Sequence, residues 1–143
     1  MNPKSDDLSG VVRPSTALRV VSFLLCLLML LFIGVQYNDP DGLLWMVIYL
    51  IPATWALIAA IVPALLRHGL VRLLLALTIL GSLALTYYYW PKSSGWWKQD
   101  VWWEVETARE GMGMMIITGV LLFVFFVALR MASRDKRSRE LAR

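Results

Sequence analysis

Long apolar runs alternate with short polar segments along this chain. Four runs, at about 17–37, 43–66, 70–90 and 112–132, are each long enough to cross a hydrocarbon core of about 30 Å as a helix of roughly 20 residues. Because lipid offers no hydrogen-bonding partners, backbone groups there must pair within the chain, so each run is predicted to be a helix. The pattern predicts an all-α integral membrane protein built as an antiparallel four-helix transmembrane bundle.

The polar segments predict the rest of the organisation. We expect residues 1–16 to form a disordered cytoplasmic N-terminus, residues 17–132 the transmembrane domain and residues 133–143 a basic cytoplasmic tail. A partly helical spacing of apolar residues in the loop between spans three and four predicts a short amphipathic segment at the membrane surface. The hairpin at 67–69 is very short, so spans two and three are expected to be antiparallel neighbours.

Basic residues cluster on one side of the predicted bundle. Eleven of the fourteen Lys and Arg residues flank the span ends on the side of the two termini. Since positive residues near spans stay cytoplasmic, both termini are predicted to be cytoplasmic and the loops at 38–42 and 91–111 to face outward. The expected location is a bacterial inner (plasma) membrane. The net charge of +4 is attributed to this topology, and no nucleic-acid partner is expected.

The polar segment Asn38-Asp39-Pro40-Asp41-Gly42 lies between the first two spans. One interpretation makes Asp39 the N-cap of span two, Pro40 its first residue and Asp41 a first-turn acid facing the positive end of the helix dipole. The other interpretation gives these acids a ligand. It is favoured by Gln36, because an amide one turn inside a span is costly unless it is paired. Both interpretations are compatible with the sequence.

The second outward loop carries further acids just ahead of the fourth span, at Glu106 and Glu110, with Arg109 between them. Carboxylate and amide oxygens suit hard cations such as Ca²⁺, Mg²⁺ or Mn²⁺, so a divalent cation is a candidate cofactor. Its candidate ligands are Asp39, Asp41, Glu106 and Glu110. The chain has one His and one Cys, which leaves zinc, haem and iron–sulfur sites without a ligand set.

Two motifs resemble a known family. They are Gln36-x-Asn38-Asp39-Pro40-Asp41, followed by Trp45 and Tyr49, and Glu106-x-x-Arg109-Glu110. Together they resemble the signature of the transmembrane protein 220 family over the whole four-helix plan, from about residue 17 to 131. The resemblance implies a small four-span membrane protein, found in bacteria and eukaryotes, and no particular reaction. It also implies that these residues act together as a binding site: Gln36, Asn38, Asp39, Asp41, Glu106, Arg109 and Glu110.

These observations predict an accessory or binding protein whose outward acidic and arginine site binds a cation, a lipid head group or a partner protein. The alternative is a small integral-membrane enzyme that acts on a lipid at the outer leaflet with metal assistance, where Arg109 would face a phosphate. A transporter is the third hypothesis, although the spans carry no buried charge that would mark a relay. Besides the bilayer, a membrane protein is an expected partner through the Trp-rich outer loop.

Overall fold

The computed structural model describes residues 14–92 and 95–141, and every regular element within them is helical. The α-helices are α1 (Thr16–Val35), α2 (Gly42–Ile61), α3 (Gly69–Tyr88), α4 (Gln99–Glu104) and α5 (Glu106–Leu141). Four of these helices are long and apolar enough to cross a membrane. The predicted four-helix transmembrane fold is therefore confirmed. Most of the expected disordered N-terminus, residues 1–13, lies outside the described residues.

The centre of the bundle consists of α2 and α5. Helix α1 packs along α2, α3 packs along α5, and α2 and α5 contact each other. In the most apolar stretch of α5, 50% of the residues are buried, against 17% in α1 and in α3. The outer surfaces of α1 and α3 are rich in exposed leucines, which suit a lipid environment.

Small residues allow the helices of the core to approach closely. Helix α2 buries Ala53, Ala56 and Ala59 in the same core to which α1 contributes Cys26 and Met29. Small side chains of this kind let helix backbones pack tightly in membrane proteins, where no hydrophobic force drives helices together. Helix α2 therefore presents small residues to the core, and its most extensive packing is with α1.

The connection between α2 and α3 is a short 3₁₀ helix, Pro63–Arg67. The prediction that these two spans are neighbours is wrong, because α3 packs mainly on α5 and makes at most marginal contact with α2. The connecting segment itself packs against α5, and its Leu66 is fully buried. The chain therefore starts α3 beside α5, which leaves a groove between α2 and α3.

Helix α5 is much longer than the predicted fourth span. Its 36 residues extend about 54 Å at a rise of roughly 1.5 Å per residue, whereas a hydrocarbon core is about 30 Å thick. At one end the helix continues into the expected basic tail as far as Leu141. At the other end it begins at Glu106, so Glu106, Arg109 and Glu110 lie on the first turns of a helix rather than in a loop.

Candidate functional site

A pocket of about 230 Å³ lies where α1 ends and where α2 and α5 begin. We call it the acidic pocket. It is lined by Gln36, Asp39, Asp41, Trp45, Tyr49, Glu106, Arg109 and Glu110. Six of the seven predicted site residues therefore meet around one space. Asn38, at the end of a 3₁₀ turn formed by Gln36–Asn38, is exposed and is not part of the lining.

A tight turn brings the end of α1 over the start of α2. The Asp39 amide donates to the Gln36 carbonyl oxygen at 3.1 Å, and the Gly42 amide donates to the Asp39 carbonyl oxygen at 3.0 Å. A Cβ at Gly42 would overlap the Gln36 carbonyl oxygen, so glycine is needed for this approach. The turn thus fixes Gln36 and Asp39 beside the first turn of α2.

The Asp41 carboxylate accepts a hydrogen bond from a side chain and does not cap the backbone at the start of α2. Helix α2 begins at Gly42, so the prediction that Asp39 is the N-cap is wrong, and Asp41 occupies that position without a side-chain capping bond. Its backbone angles, φ −107° and ψ 20°, lie outside the extended region that N-cap residues usually adopt. Asp41 Oδ2 instead accepts a hydrogen bond from Trp45 Nε1 at 3.0 Å, one turn along the helix.

Aromatic rings form the inner wall of the acidic pocket. Trp45 and Tyr49 are buried, with 4% and 7% of their surfaces exposed. The Trp45 ring lies 6.0 Å from Tyr49 and 5.5 Å from Tyr89, centroid to centroid, and Phe32 lies 5.3 Å from Tyr49. Trp45 and Tyr49 were not among the predicted site residues. Asp41, Trp45 and Tyr49 recur every four residues, which puts all three on one helix face, and this spacing was the signal that could have identified the two rings.

The start of α5 places the second group of charged residues. The Val105 carbonyl oxygen accepts from the Ala108 and Arg109 amides, both at 3.1 Å, which begins the helix and directs its first turns. The Arg109 guanidinium donates from Nη1 to the Trp103 carbonyl oxygen at 3.0 Å. This bond ties the only basic group of the pocket lining to the end of α4.

Negative charge dominates the pocket. Four carboxylates and one guanidinium line it, so its formal charge is −3 when all are ionised. Asp39, Asp41 and Glu106 are exposed at the rim, where water stabilises their charges, whereas Glu110 is half-buried and interacts with all three as well as with Trp45. Like charges repel more strongly as water is excluded, so the inner part of the pocket, around Glu110, favours a positively charged ligand.

Tyr89 follows the last residue of α3 and contributes a polar group near these acids. Burial raises the pKa of the Tyr89 phenol above its usual value, and the neighbouring Glu110, Tyr88 and Asp41 raise it further. The phenol therefore stays neutral at physiological pH and keeps its hydroxyl as a hydrogen-bond donor.

The sequence model of the family described as "Transmembrane family 220, helix" matches residues 28–126, which include every residue of the acidic pocket. The chain belongs to transmembrane family 220. "Transmembrane protein 220" from Xenopus laevis is 33% identical over 111 residues, which are 73% of this chain and 56% of that protein. The chain thus spans a little over half the length of this relative. No solved structure matches the chain.

In this member of transmembrane family 220, the acids surround the pocket without forming a compact ligand set. Across the described ranges, no three His, Cys, Asp or Glu side chains lie close enough to hold one metal ion. The expected divalent cation stays a prediction.

The Trp-rich loop next to the pocket packs largely on itself. The Trp90 ring lies 5.4 Å from Trp96 and 5.5 Å from Trp102, and Trp102 Nε1 donates to the Trp96 carbonyl oxygen at 2.6 Å. The Trp97 ring lies 6.1 Å from Trp96, and Trp97 and Trp103 are 67% and 63% exposed. A protein partner at these two rings stays a prediction.

Proposed function

We propose that the chain is a membrane-embedded binding protein whose acidic pocket holds the ammonium-bearing head group of a phospholipid. The observation that carries the proposal is the composition of the pocket: four carboxylates, one guanidinium and two aromatic rings around one space at the end of a transmembrane bundle. This composition suits a zwitterionic ligand, because the four carboxylates can surround its cationic group while the one guanidinium pairs with its anionic group.

The charges of the pocket complement both parts of such a head group. Carboxylates accept charge-assisted hydrogen bonds from an ammonium group, and a guanidinium pairs with a phosphate in the same way. Glu110 and Asp41 interact with each other and lie near Trp45, so they are the expected ammonium partners. Arg109 is the expected phosphate partner, since it is the only cationic residue of the lining.

The aromatic wall and the size of the pocket favour an organic cation over a bare metal ion. An ammonium group over a Trp or Tyr face gains about 0.5–2 kcal/mol, depending on how far it is desolvated. Trp45 and Tyr49 supply aromatic rings to the lining. The volume of about 230 Å³ is also ample, because a protein cavity of about 150 Å³ holds benzene.

The position of the pocket fits a lipid ligand. It lies where the transmembrane helices meet the aqueous phase, beside a belt of Tyr and Trp residues of the kind found at head-group level. The excess of basic residues on the opposite end supports an outward-facing pocket with both termini cytoplasmic, and a bacterial inner membrane stays the expected location.

The test is selective lipid retention by the full chain in detergent, measured by native mass spectrometry. The chain is offered equal amounts of phosphatidylethanolamine and phosphatidylglycerol, which share the phosphate and differ in the ammonium group. Wild type should retain the ammonium lipid preferentially. Glu110→Gln should lower this preference about tenfold, because one charge-assisted hydrogen bond is lost.

Glu104→Gln is the matched control, since Glu104 is an exposed acid on α4 outside the pocket lining. It should leave the preference unchanged. Equal retention of the two lipids by wild type, or equal effects of the two substitutions, would refute the proposal.

A further inference from the structure

A second, larger concavity lies deeper in the bundle, between α2 and α3. We call it the apolar groove; it has a volume of about 550 Å³. Ile51 of α2 and Leu77 of α3 form its sides, and Ile117 and Leu121 of α5 form its floor. It exists because α3 packs on α5 instead of on α2. In a bilayer, a space of this kind between two spans is available to hydrocarbon.

The polar atoms within the apolar groove are already satisfied. The Thr78 hydroxyl donates to the Leu74 carbonyl oxygen at 2.8 Å. The Ser82 hydroxyl donates to the Ile79 carbonyl oxygen at 2.8 Å and accepts from Thr118 at 3.0 Å. The groove therefore offers an apolar surface to an occupant, because the hydroxyls of Thr78 and Ser82 already form hydrogen bonds within the protein.

One face of α5 joins the apolar groove to the acidic pocket. Glu106, Glu110, Met114, Ile117 and Leu121 recur at the three- and four-residue spacings that keep side chains on one side of a helix. The first two line the acidic pocket and the last three line the groove. From Glu110 to Leu121 the helix rises about 16 Å. The polar site and the apolar one thus lie in succession along a single stripe of α5, and none of the described residues lines both.

We infer that the apolar groove holds an acyl chain of the same lipid whose head group occupies the acidic pocket, so that the ligand is a glycerophospholipid. This inference rests on the proposed function. An amphiphile matches both ends of the α5 stripe, with its charge beside Glu110 and its hydrocarbon beside Ile117 and Leu121. A helix from a second copy or from another protein would match the groove alone.

The experiment uses the full chain in phosphatidylglycerol vesicles that contain a trace of phosphatidylethanolamine with a photoreactive diazirine on its acyl chain. Crosslinks are mapped by peptide mass spectrometry. They should concentrate on the groove-facing residues of α2, α3 and α5. Gly81→Leu should lower them about tenfold, because a Leu side chain would take the place of roughly two methylenes of the acyl chain.

The chain offers a matched control for this substitution. A Cβ at Gly81 and a Cβ at Gly119 would both meet open space, but only Gly81 lines the groove. Gly119→Leu should therefore leave the crosslinks unchanged, while it adds the same side chain to a span.

Each outcome bears on the inference. Crosslinks spread evenly over the exposed leucines of α1 and α3, unaffected by Gly81→Leu, overturn it, and the proposed function still stands if Glu110→Gln lowers retention of phosphatidylethanolamine. Equal labelling of the groove by a diazirine phosphatidylglycerol probe shows that the head-group proposal has failed and that hydrocarbon enters unselectively. A groove that the probe leaves unlabelled, together with a dimer in native mass spectrometry that Gly81→Leu abolishes, overturns the inference in favour of a second copy in the groove.

Discussion

The contact between Gly113 of α5 and Tyr49 of α2 offers a sharp test of how the pocket wall is built. A Cβ at Gly113 would overlap the Tyr49 hydroxyl. The Tyr49 ring cannot move away freely, because it is buried and packs against Phe32 and Trp45. Gly113→Ala should therefore lower the free energy of unfolding by about 1–3 kcal/mol, the usual cost of overpacking a core. The helix-propensity gain of alanine over glycine, at most about 1 kcal/mol, offsets part of this loss.

The structure also specifies the rescue. The same Cβ would lie 3.5 Å from Tyr49 Cζ, an ordinary van der Waals distance, so removal of the hydroxyl alone relieves the overlap. In a Tyr49→Phe background, Gly113→Ala should cost little, which gives a coupling energy of about 1–2 kcal/mol in the double-mutant cycle. Gly119→Ala is the control, because a Cβ there meets open space.

The assay is SDS-induced unfolding, followed by far-UV circular dichroism, of the detergent-solubilised wild type, the two single variants, the double variant and the Gly119→Ala control. The reasoning is refuted if Gly113→Ala is as stable as Gly119→Ala. It is also refuted if Tyr49→Phe leaves the cost of Gly113→Ala unchanged, since the hydroxyl would then not be the group in contact.

Three further predictions concern two other contacts of the bundle and its orientation in the membrane. Trp45→Phe should lower the free energy of SDS unfolding by about 1 kcal/mol through loss of the 3.0 Å bond to Asp41, and no change would show that water replaces the bond without cost. Thr118→Val should cost about 1 kcal/mol in the same assay, because it removes the hydroxyl that joins α3 to α5, and a neutral result would contradict that role. An impermeant maleimide applied to intact cells should label Lys92→Cys but not Lys136→Cys, because the basic residues predict that only Lys92 faces outward. The native thiol, Cys26, is buried and should give no background labelling. The opposite labelling would reverse the topology.

The apolar periodicity was sufficient to predict the four spans, because a bilayer allows few alternatives to a helix for a run of this length. It could not predict which helices pack together. The short connection between α2 and α3 suggested neighbours, but this connecting segment also packs against α5, and its Leu66 is fully buried. Which helices pack together in a membrane depends on the fit of individual side chains, and this fit cannot be predicted from the length of a hairpin.

The acidic pocket was partly predictable for a different reason. Asp39 and Glu106 each precede a span that enters the bundle from the same end, so topology alone places them at a similar depth. Trp45 and Tyr49 were harder to recognise, because an aromatic residue in an apolar run also fits a membrane core or an interfacial belt. The exact start of α2 was not predictable either, since it depends on the turn that Gly42 permits.

Equilibrium binding of soluble glycerophosphoethanolamine, compared with glycerophosphoglycerol, tests the head-group proposal most directly. Both compounds carry the same phosphate and neither has an acyl chain, so the apolar groove does not contribute. Titrated into the detergent-solubilised full chain, glycerophosphoethanolamine should bind at least about tenfold more tightly, a difference of roughly 1.4 kcal/mol, and Glu110→Gln should abolish the difference. Equal affinity for the two compounds, or a preference that survives Glu110→Gln, would contradict the assignment of the acidic pocket to an ammonium group.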